Sequence, residues 1–422
     1  MRKNKIDIIS LGCSKNLVDS EHLIRQFQAN GYSVEHNPSR VDGEIVVVNT
    51  CGFIRDAQEE SIDMILELGR AKKEGKIKKL FVMGCLAERF MAQLIDELPE
   101  VDKFYGKFNW KEMLNDLGKS YKEDLSSERY LTTPKHYAYL KISEGCNRFC
   151  AFCAIPLITG RHKSVPMDTL INEVKHLVSQ GVKEFNVIAQ DLSSYGLDLY
   201  GKMMLPELID QMAQIEGVEW IRLHYAYPTQ FPYDILPVMA KHDNVCKYLD
   251  IALQHSSDKV LNNMQRHITK AETIELIKRI RKEVPGIHIR TTLMVGFPGE
   301  GEEEFNDLVD FVEEMRFERM GAFAYSEEEG TFAAKHFDDI IPEDVKADRL
   351  DKIMEIQEEI SNEIQSKKVG NVYKVIIDSV DEMYYSGRTE WDSPEVDPEV
   401  LIPVENSKLE IGNFYQVEIT DA

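Results

Sequence analysis

The sequence has no long hydrophobic run, so no part of it is expected to span a membrane. The stretch from Met1 to Cys13 looks superficially like a lipoprotein signal. Its apolar run is short and interrupted by Asp7, so a first β-strand is expected there instead. Positive charge is also short: 50 Lys and Arg face 73 Asp and Glu, for a formal net charge of −23. Phosphate backbones are contacted mainly by Lys and Arg, so nucleic acid is disfavoured as the main partner. A basic protein suits the balance better, unless the acidity serves solubility alone. Cysteine is scarce and odd in number, at seven in 422 residues. Three of the seven crowd into one short loop, which argues against a disulfide framework. With no span and no signal read, a cytoplasmic protein is expected, and in such a reducing compartment cysteines are more often ligands or catalysts. The remaining composition is ordinary, 43% hydrophobic and 29% charged. That suffices for a sizeable core divided over two or three domains.

The crowded loop is Glu144-Gly-Cys146-Asn-Arg-Phe-Cys150-Ala-Phe-Cys153, just after a strand-like run at 137–143. A cubic 4Fe–4S cluster normally takes four thiolates. Three local thiols leave one iron open, and an open metal position is where a substrate or cofactor binds. Zinc is the competing expectation, with His162 as a fourth ligand to Cys146, Cys150 and Cys153. Zinc motifs more often pair Cys-x2-Cys units some distance apart, so the spacing favours the cluster.

Upstream, three short β-branched runs at 6–11, 45–49 and 80–83 alternate with helical patterns at 21–29, 58–73 and 89–97. Asp19 and Ser20 are expected to cap the first helix. This alternation predicts a small α/β domain with a parallel sheet. A cysteine beside a glycine ends each strand: Gly12-Cys13, Cys51-Gly52 and Gly84-Cys85. Neighbouring strands lie about 4.8 Å apart, so three thiols distant in sequence converge at the carboxyl edge of such a sheet. A lone cysteine is usually a small buried hydrophobe. Three at one structural position point instead to a second metal site, also with an open iron.

Residues 106–136 read as a helix over 110–117 followed by a polar linker. Six strand and helix units then follow, with strands expected at 137–143, 184–190, 220–226, 248–254, 288–297 and 318–326. Eight would close a barrel, so six predict an open partial (β/α)6 TIM-like barrel. The strand ends carry Gln190-Asp191, His224-Tyr225, Gln254-His255, Gly296-Phe-Pro-Gly299 and Tyr325-Ser326. His224 and His255 are expected to be structural or substrate-orienting rather than ligands. Cys246, without a partner, is expected to be structural.

After a hinge at Ser366 to Gly370, four short alternating runs at 372–377, 384–389, 400–404 and 414–419 predict a small antiparallel β-barrel. From residue 366 onward, twelve Asp and Glu face five Lys and Arg. The segment from Glu390 to Glu399 is the most acidic. If exposed, it would repel a phosphate backbone and attract a basic protein.

The Cys-x3-Cys-x2-Cys loop with Phe152 before its last cysteine, on a six-unit barrel, resembles the radical S-adenosylmethionine superfamily. The glycine-rich run from Leu293 to Glu300 adds to the likeness. With Cys13, Cys51 and Cys85, the resemblance narrows to the methylthiotransferases and covers nearly the whole chain. It implies a methylthiotransferase N-terminal α/β domain over 1–120, a radical barrel over 132–365 and a TRAM β-barrel over 366–422. It further implies two 4Fe–4S clusters: a radical-generating one on Cys146, Cys150 and Cys153, and an auxiliary one on Cys13, Cys51 and Cys85. S-adenosylmethionine would meet Phe152 and Gly296, and an external donor would supply electrons. Thr159 and Val165 stand where the family often carries basic residues, with Arg161 and Lys163 nearby to compensate. Charge selects between branches of the family. The acidic C-terminus favours the branch that methylthiolates an aspartate β-carbon of the basic ribosomal protein S twelve, on the ribosome or its small subunit. The tRNA-modifying branch, acting on a modified adenosine, is the alternative. An iron–sulfur electron carrier or scaffold is the non-enzyme alternative.

Overall fold

The computed structural model describes residues 2–406 and 408–422. The chain divides into two compact units. The first comprises Met1–Thr133, Glu144–Asn147 and Ala154–Arg161, and the second Pro134–Ser143, Arg148–Cys153 and His162–Ala422.

The first unit is a five-stranded parallel sheet built from β1 (Arg2–Ser10), β2 (Ser33–His36), β3 (Gly43–Thr50), β4 (Lys79–Gly84) and β5 (Lys103–Phe104), in the order β2-β1-β3-β4-β5. The helices are α1 (Ser14–Ala29), α2 (Arg55–Lys73), α3 (Cys85–Glu97) and α4 (Trp110–Asp116). Successive strand residues face opposite sides, so the β-branched runs feed two cores. Val46, Val48 and Val82 pack with Ile65, Leu68 and Leu94 on one side. Ile6, Ile8 and Val47 pack with Leu23, Ile24, Phe27 and Met113 on the other. Each such buried side chain contributes about 1.5–3 kcal/mol. The central strand β3, with Val46, Val47 and Val48 wholly buried, therefore anchors the sheet.

Two strands exceed the three expected. β2 is half-exposed and β5 has two residues, so neither leaves an apolar run in the sequence. The first helix also begins earlier, at Ser14. Asp19 and Ser20 are therefore not caps but buried residues inside α1.

The second unit holds six parallel strands in unbroken order along one sheet: Tyr137–Lys141, Glu184–Ile188, Trp220–Ala226, Val245–Ile251, His288–Val295 and Arg319–Ala324. This is the expected open (β/α)6 arrangement. The fourth strand starts and ends three residues before its expected position. Its chain turns away at Gln254, which has φ +74° and keeps only a bridge to Leu293.

The long helix Glu343–Ser366 leads into a curled four-stranded antiparallel sheet of Val372–Val380, Tyr384–Arg388, Val400–Pro403 and Phe414–Glu418. Val375, Ile377 and Tyr385 form its core with Ile402, Tyr415 and Val417.

The acidic segment after Arg388 is only in part the exposed surface that its composition suggested: Glu395 and Glu399 are exposed. Thr389, Asp392 and Ser393 are buried. Their neighbourhood is the amino-terminal end of the six-stranded sheet, opposite the cysteine loop. Arg319 donates to Asp392 at 2.5 Å. Arg290 donates to Asp397 at 2.5 Å, and Tyr248 donates to the same carboxylate at 2.9 Å. Tyr137 and Tyr139 donate to Glu395 at 3.2 and 3.3 Å. The buried Arg222 donates to the Glu390 carbonyl. Arg388 spans Glu184 at 2.7 Å and Asp378 at 2.6 Å. Burial would push the Glu184 carboxyl up, but Arg388 and Arg222 outweigh it and hold it below the ordinary range. Those carboxylates neutralise barrel arginines and lock the C-terminal sheet to the barrel. The exposed acids Asp381, Glu382, Glu395, Glu399, Glu405, Glu410, Glu418 and Asp421 still outnumber the exposed Lys367, Lys374 and Lys408.

Candidate functional site

The strand order of the first unit is that of flavodoxin-like sheets, whose ligands bind beyond the β1/β3 switch point. Ser10 pairs with Asn49 and Thr50 with Gly84, so the ends of β1, β3 and β4 stand level. Cys13, Cys51 and Cys85 follow these three ends, as expected. The convergence is tight. Gly12 has φ +85°, and a methyl group there would sit 2.6 Å from Cys51 Cβ and 2.9 Å from its Sγ. Only glycine lets the two chains approach this closely.

Asn16 on α1 braces the three positions. Its side-chain amide donates to the Leu11 carbonyl at 3.1 Å and to the Thr50 carbonyl at 2.8 Å. Its side-chain oxygen accepts from the Cys85 thiol at 3.5 Å. Asn49 in turn donates to the Asn16 carbonyl at 2.9 Å. Sequence reasoning missed Asn16, because one polar residue in the first helical turn carries no signal of what it bridges.

Burial pushes the Cys85 thiol up to about 12, with Lys107 pulling it down and Cys13, Cys51 and Asp19 pushing it further up. Burial also raises Cys51, against the opposing backbone N–H of Phe53 and with Cys13 and Glu60 adding to the rise. The three sulfurs thus share one electrostatic neighbourhood. Cys51 and Cys85 are buried and Cys13 is exposed, and thiols in such a set suit a metal that displaces their protons.

The second cysteine set divides between the units. Cys146 belongs to the first, and Cys150 and Cys153 to the second. Within the second unit, the Cys153 N–H donates to the Cys150 carbonyl at 3.0 Å. Arg266 donates to Cys150 Sγ at 3.3 Å, and the Tyr227 hydroxyl lies 3.5 Å from it. Arg266 and Arg148 both lie over the Tyr227 ring, at 4.1 and 4.4 Å. Arg148 is held by Asp191 at 2.8 Å, which gives that strand-end carboxylate its role. Arg266 and Tyr227 were not anticipated: Arg266 lies between two helices, and the end of the strand at 220–226 was read at His224-Tyr225, just short of Tyr227.

Phe152 packs edge-on against Phe297 at 6.2 Å, beside Ala151 and Met264. Gly296 adjoins the same cluster, and its N–H donates to Glu300 at 2.9 Å. Its φ is +75°, and a Cβ there would strike Lys346 Cγ at 2.5 Å. Packing against Lys346 thus explains this glycine in the structure. His255 is wholly buried between Glu300, at 3.0 Å, and the Ser257 N–H, at 3.0 Å, so its role is structural. His224 lies 3.2 Å from the Asn186 side chain. His162 turns to Ser164 at 3.1 Å, with Asp198 beyond. Cys246 is buried with Trp220, Tyr248 and Ile376, as a structural cysteine should be. The Thr159 hydroxyl donates to the Ile155 carbonyl at 3.1 Å, and the Val165 N–H to that of Ile142 at 2.8 Å.

Elsewhere, the carboxylates of Asp7, Glu35 and Asp42 cluster closely. Lys5 sits among them, 3.1 Å from Asp7 and 2.6 Å from Glu35, and with Arg2 at 3.0 Å from Asp42 it offsets part of their charge. Among the described residues, no helix is long and apolar enough to cross a membrane.

Comparison with known proteins matches three family models in chain order. Residues 5–106 match the uncharacterized protein family UPF0004, residues 140–312 the radical SAM superfamily, and residues 369–422 the TRAM domain. The chain is 65% identical over 422 residues to the ribosomal protein uS12 methylthiotransferase RimO of Parabacteroides distasonis, covering all of this chain and 98% of that protein. It is 64% identical to the protein of the same name from Bacteroides thetaiotaomicron, with 100% and 97% covered. It is 51% identical to that of Flavobacterium johnsoniae, again with 100% and 97% covered. Among solved structures, the radical S-adenosylmethionine methyltransferase TsrM of Kitasatospora setae superposes with a TM-score of 0.59 at 13% identity, over 79% of this chain and 77% of that one. The cobalamin-dependent radical enzyme OxsB gives 0.53 at 12% identity, over 84% and 56%. At such identities these two support the fold alone. The full-length relatives go further: the chain belongs to the ribosomal protein uS12 methylthiotransferase RimO family, enzymes of the radical SAM superfamily.

Proposed function

We propose that the protein transfers a methylthio group to an aspartate β-carbon of ribosomal protein uS12, using S-adenosylmethionine and two 4Fe–4S clusters. The observation that carries this is full-length identity of up to 65% to proteins bearing that name. In our reading Cys13, Cys51 and Cys85 hold one cluster, and Cys146, Cys150 and Cys153 hold the other. The first assignment is supported by three cysteines that follow the level ends of three neighbouring strands, at the switch point of a parallel sheet. The second is supported by thiol spacing and by the donors arranged around Cys150. When bound, such clusters supply one-electron and sulfur chemistry that polar side chains lack.

The chain's own residues prepare both places. Asn16 holds the ends of β1 and β3 against Cys85. Arg266 and Tyr227 direct N–H and O–H groups at Cys150 Sγ, and such hydrogen bonds to ligand sulfur tune a cluster. Phe152 contributes an apolar wall with Phe297. We assign Phe152 and Gly296 to the S-adenosylmethionine side, with Gly296 acting through the backbone turn it permits. Three functional parts follow, over 1–120, 132–365 and 366–422. The residual acidity of the C-terminal sheet suits a basic protein substrate in the cytoplasm, met on the ribosome or its small subunit. An external donor supplies the electrons.

The test is mass spectrometry of uS12 and tRNA from a host strain lacking this gene. Loss of the methylthio mass from uS12, restored by complementation, is expected. Loss from tRNA with uS12 unchanged would instead favour the tRNA-modifying branch.

A further inference from the structure

Lys107 lies just past β5 and ahead of the helix expected over 110–117. It is 2% exposed. Its ammonium lies 3.5 Å from Asp19 and 3.0 Å from Glu144. Its backbone N–H donates to Glu88 at 2.8 Å. These partners are not scattered. Asp19 is on α1, the helix that follows Cys13. Glu88 is in the first turn of α3, whose first residue is Cys85. Glu144 stands two residues before Cys146. The same region is joined a second time, because Cys85 packs against Ala154 and Ile158, just after Cys153.

Burial disfavours the charge on Lys107, and the carboxylates of Asp19 and Glu144 beside it compensate. A buried charge is tolerated only when paired. A site of three thiolates around a cubic cluster is anionic, and net charge is one of the terms that set a cluster's potential.

We propose that Lys107 is a positioning residue for the N-terminal cluster site. Its buried ammonium offsets the negative charge gathered at Cys13, Cys51 and Cys85, and through Glu144 it fixes the segment that leads into Cys146. This rests on the ligand assignment above. Electrostatics here has a sign. Removing the cation makes the cluster harder to reduce. Removing the Glu144 charge leaves the cation less compensated and makes reduction easier.

The experiment isolates the N-terminal site in the full-length C146A/C150A/C153A protein, loaded anaerobically with iron and sulfide. EPR-monitored redox titration then compares that parent with added K107M, K107R or E144Q. K107M is expected to shift the potential negative, K107R to return it toward the parent, and E144Q to shift it positive. A K107M cluster at the parental potential overturns the proposal. So does movement of K107M and E144Q in the same direction, which marks mere loosening. If K107M does not fold, E144Q decides: a positive shift supports the proposal, and no shift or a negative one overturns it. A parent with no bound cluster refutes the ligand assignment itself, and Lys107 falls with it. A loaded parent with unmoved potentials refutes Lys107 alone.

Discussion

Cys13, Cys51 and Cys85 come from three strand ends far apart in sequence, whereas Cys146, Cys150 and Cys153 lie in one loop. The first set exists only when the sheet is folded, because register between β1, β3 and β4 brings the thiols level. Cys51 and Cys85 are buried, and Asn16 and Lys107 surround them with fixed polar groups. The loop set needs only chain connectivity for its thiols to be near one another. Its three cysteines are part-exposed, and its specific environment comes from Arg266 and Tyr227 of the barrel. A site assembled by the fold therefore depends on remote packing, and a site assembled by a loop depends on its immediate neighbours.

That contrast can be broken at several points. The largest effect is expected from Cys150→Ala, which should abolish 5′-deoxyadenosine formation while leaving iron on the N-terminal set. Chromatographic detection of cleavage products under anaerobic reduction measures it, and retained cleavage would remove Cys150 from the ligands. Next comes the internal lock of the second unit. Arg388→Met leaves Glu184 buried without its main partner, and breaking such a pair costs about 3–5 kcal/mol. Urea unfolding should record a loss of that size, without loss of iron from Cys13, Cys51 and Cys85.

Asn16→Leu is expected to be milder in stability, at about 1–3 kcal/mol for the buried carbonyls it leaves unpaired. It should be selective in iron content, halving the load by emptying the N-terminal set. Equal loss from both sets would show that the sites are not independently built. The smallest effect concerns pH. Burial pushes Asp392 up, but Arg319, Lys368 and the Thr389 hydrogen bond outweigh it, so its folded value lies below the ordinary 3.8. Its stabilisation is therefore complete above pH 3.8 and lost as pH falls through the lower folded value. The difference in urea midpoint between wild type and Asp392→Asn should hold from pH 7 to pH 5 and close only below about pH 4. Closure between pH 7 and pH 5 would contradict the pairing.

Much of this was legible in the sequence because the relevant patterns are local. β-Branched runs marked β1, β3 and β4, and Trp220–Ala226 fell at its expected bounds. Cysteines beside glycines marked the strand ends. What was illegible depends on partners spread over the chain. Glu390 to Glu399 looked like a docking surface, because the groups it pairs with, Arg222, Tyr248, Arg290 and Arg319, sit on four separate strands. Asp19 looked like a helix cap because its partner, Lys107, lies far along the chain, just ahead of the helix over 110–117. β2 and β5 were missed since one is half-exposed and the other has only two residues. Gly296 fitted a glycine-rich cofactor run, yet the structure also gives it a packing reason in Lys346.

The central claim is that two separately built cysteine sites serve one transfer. It is tested most directly with Cys51→Ala, assayed anaerobically with S-adenosylmethionine, reductant and isolated uS12. Cleavage of S-adenosylmethionine should persist while uS12 gains no methylthio mass. Full methylthiolation of uS12 by this variant would contradict the account.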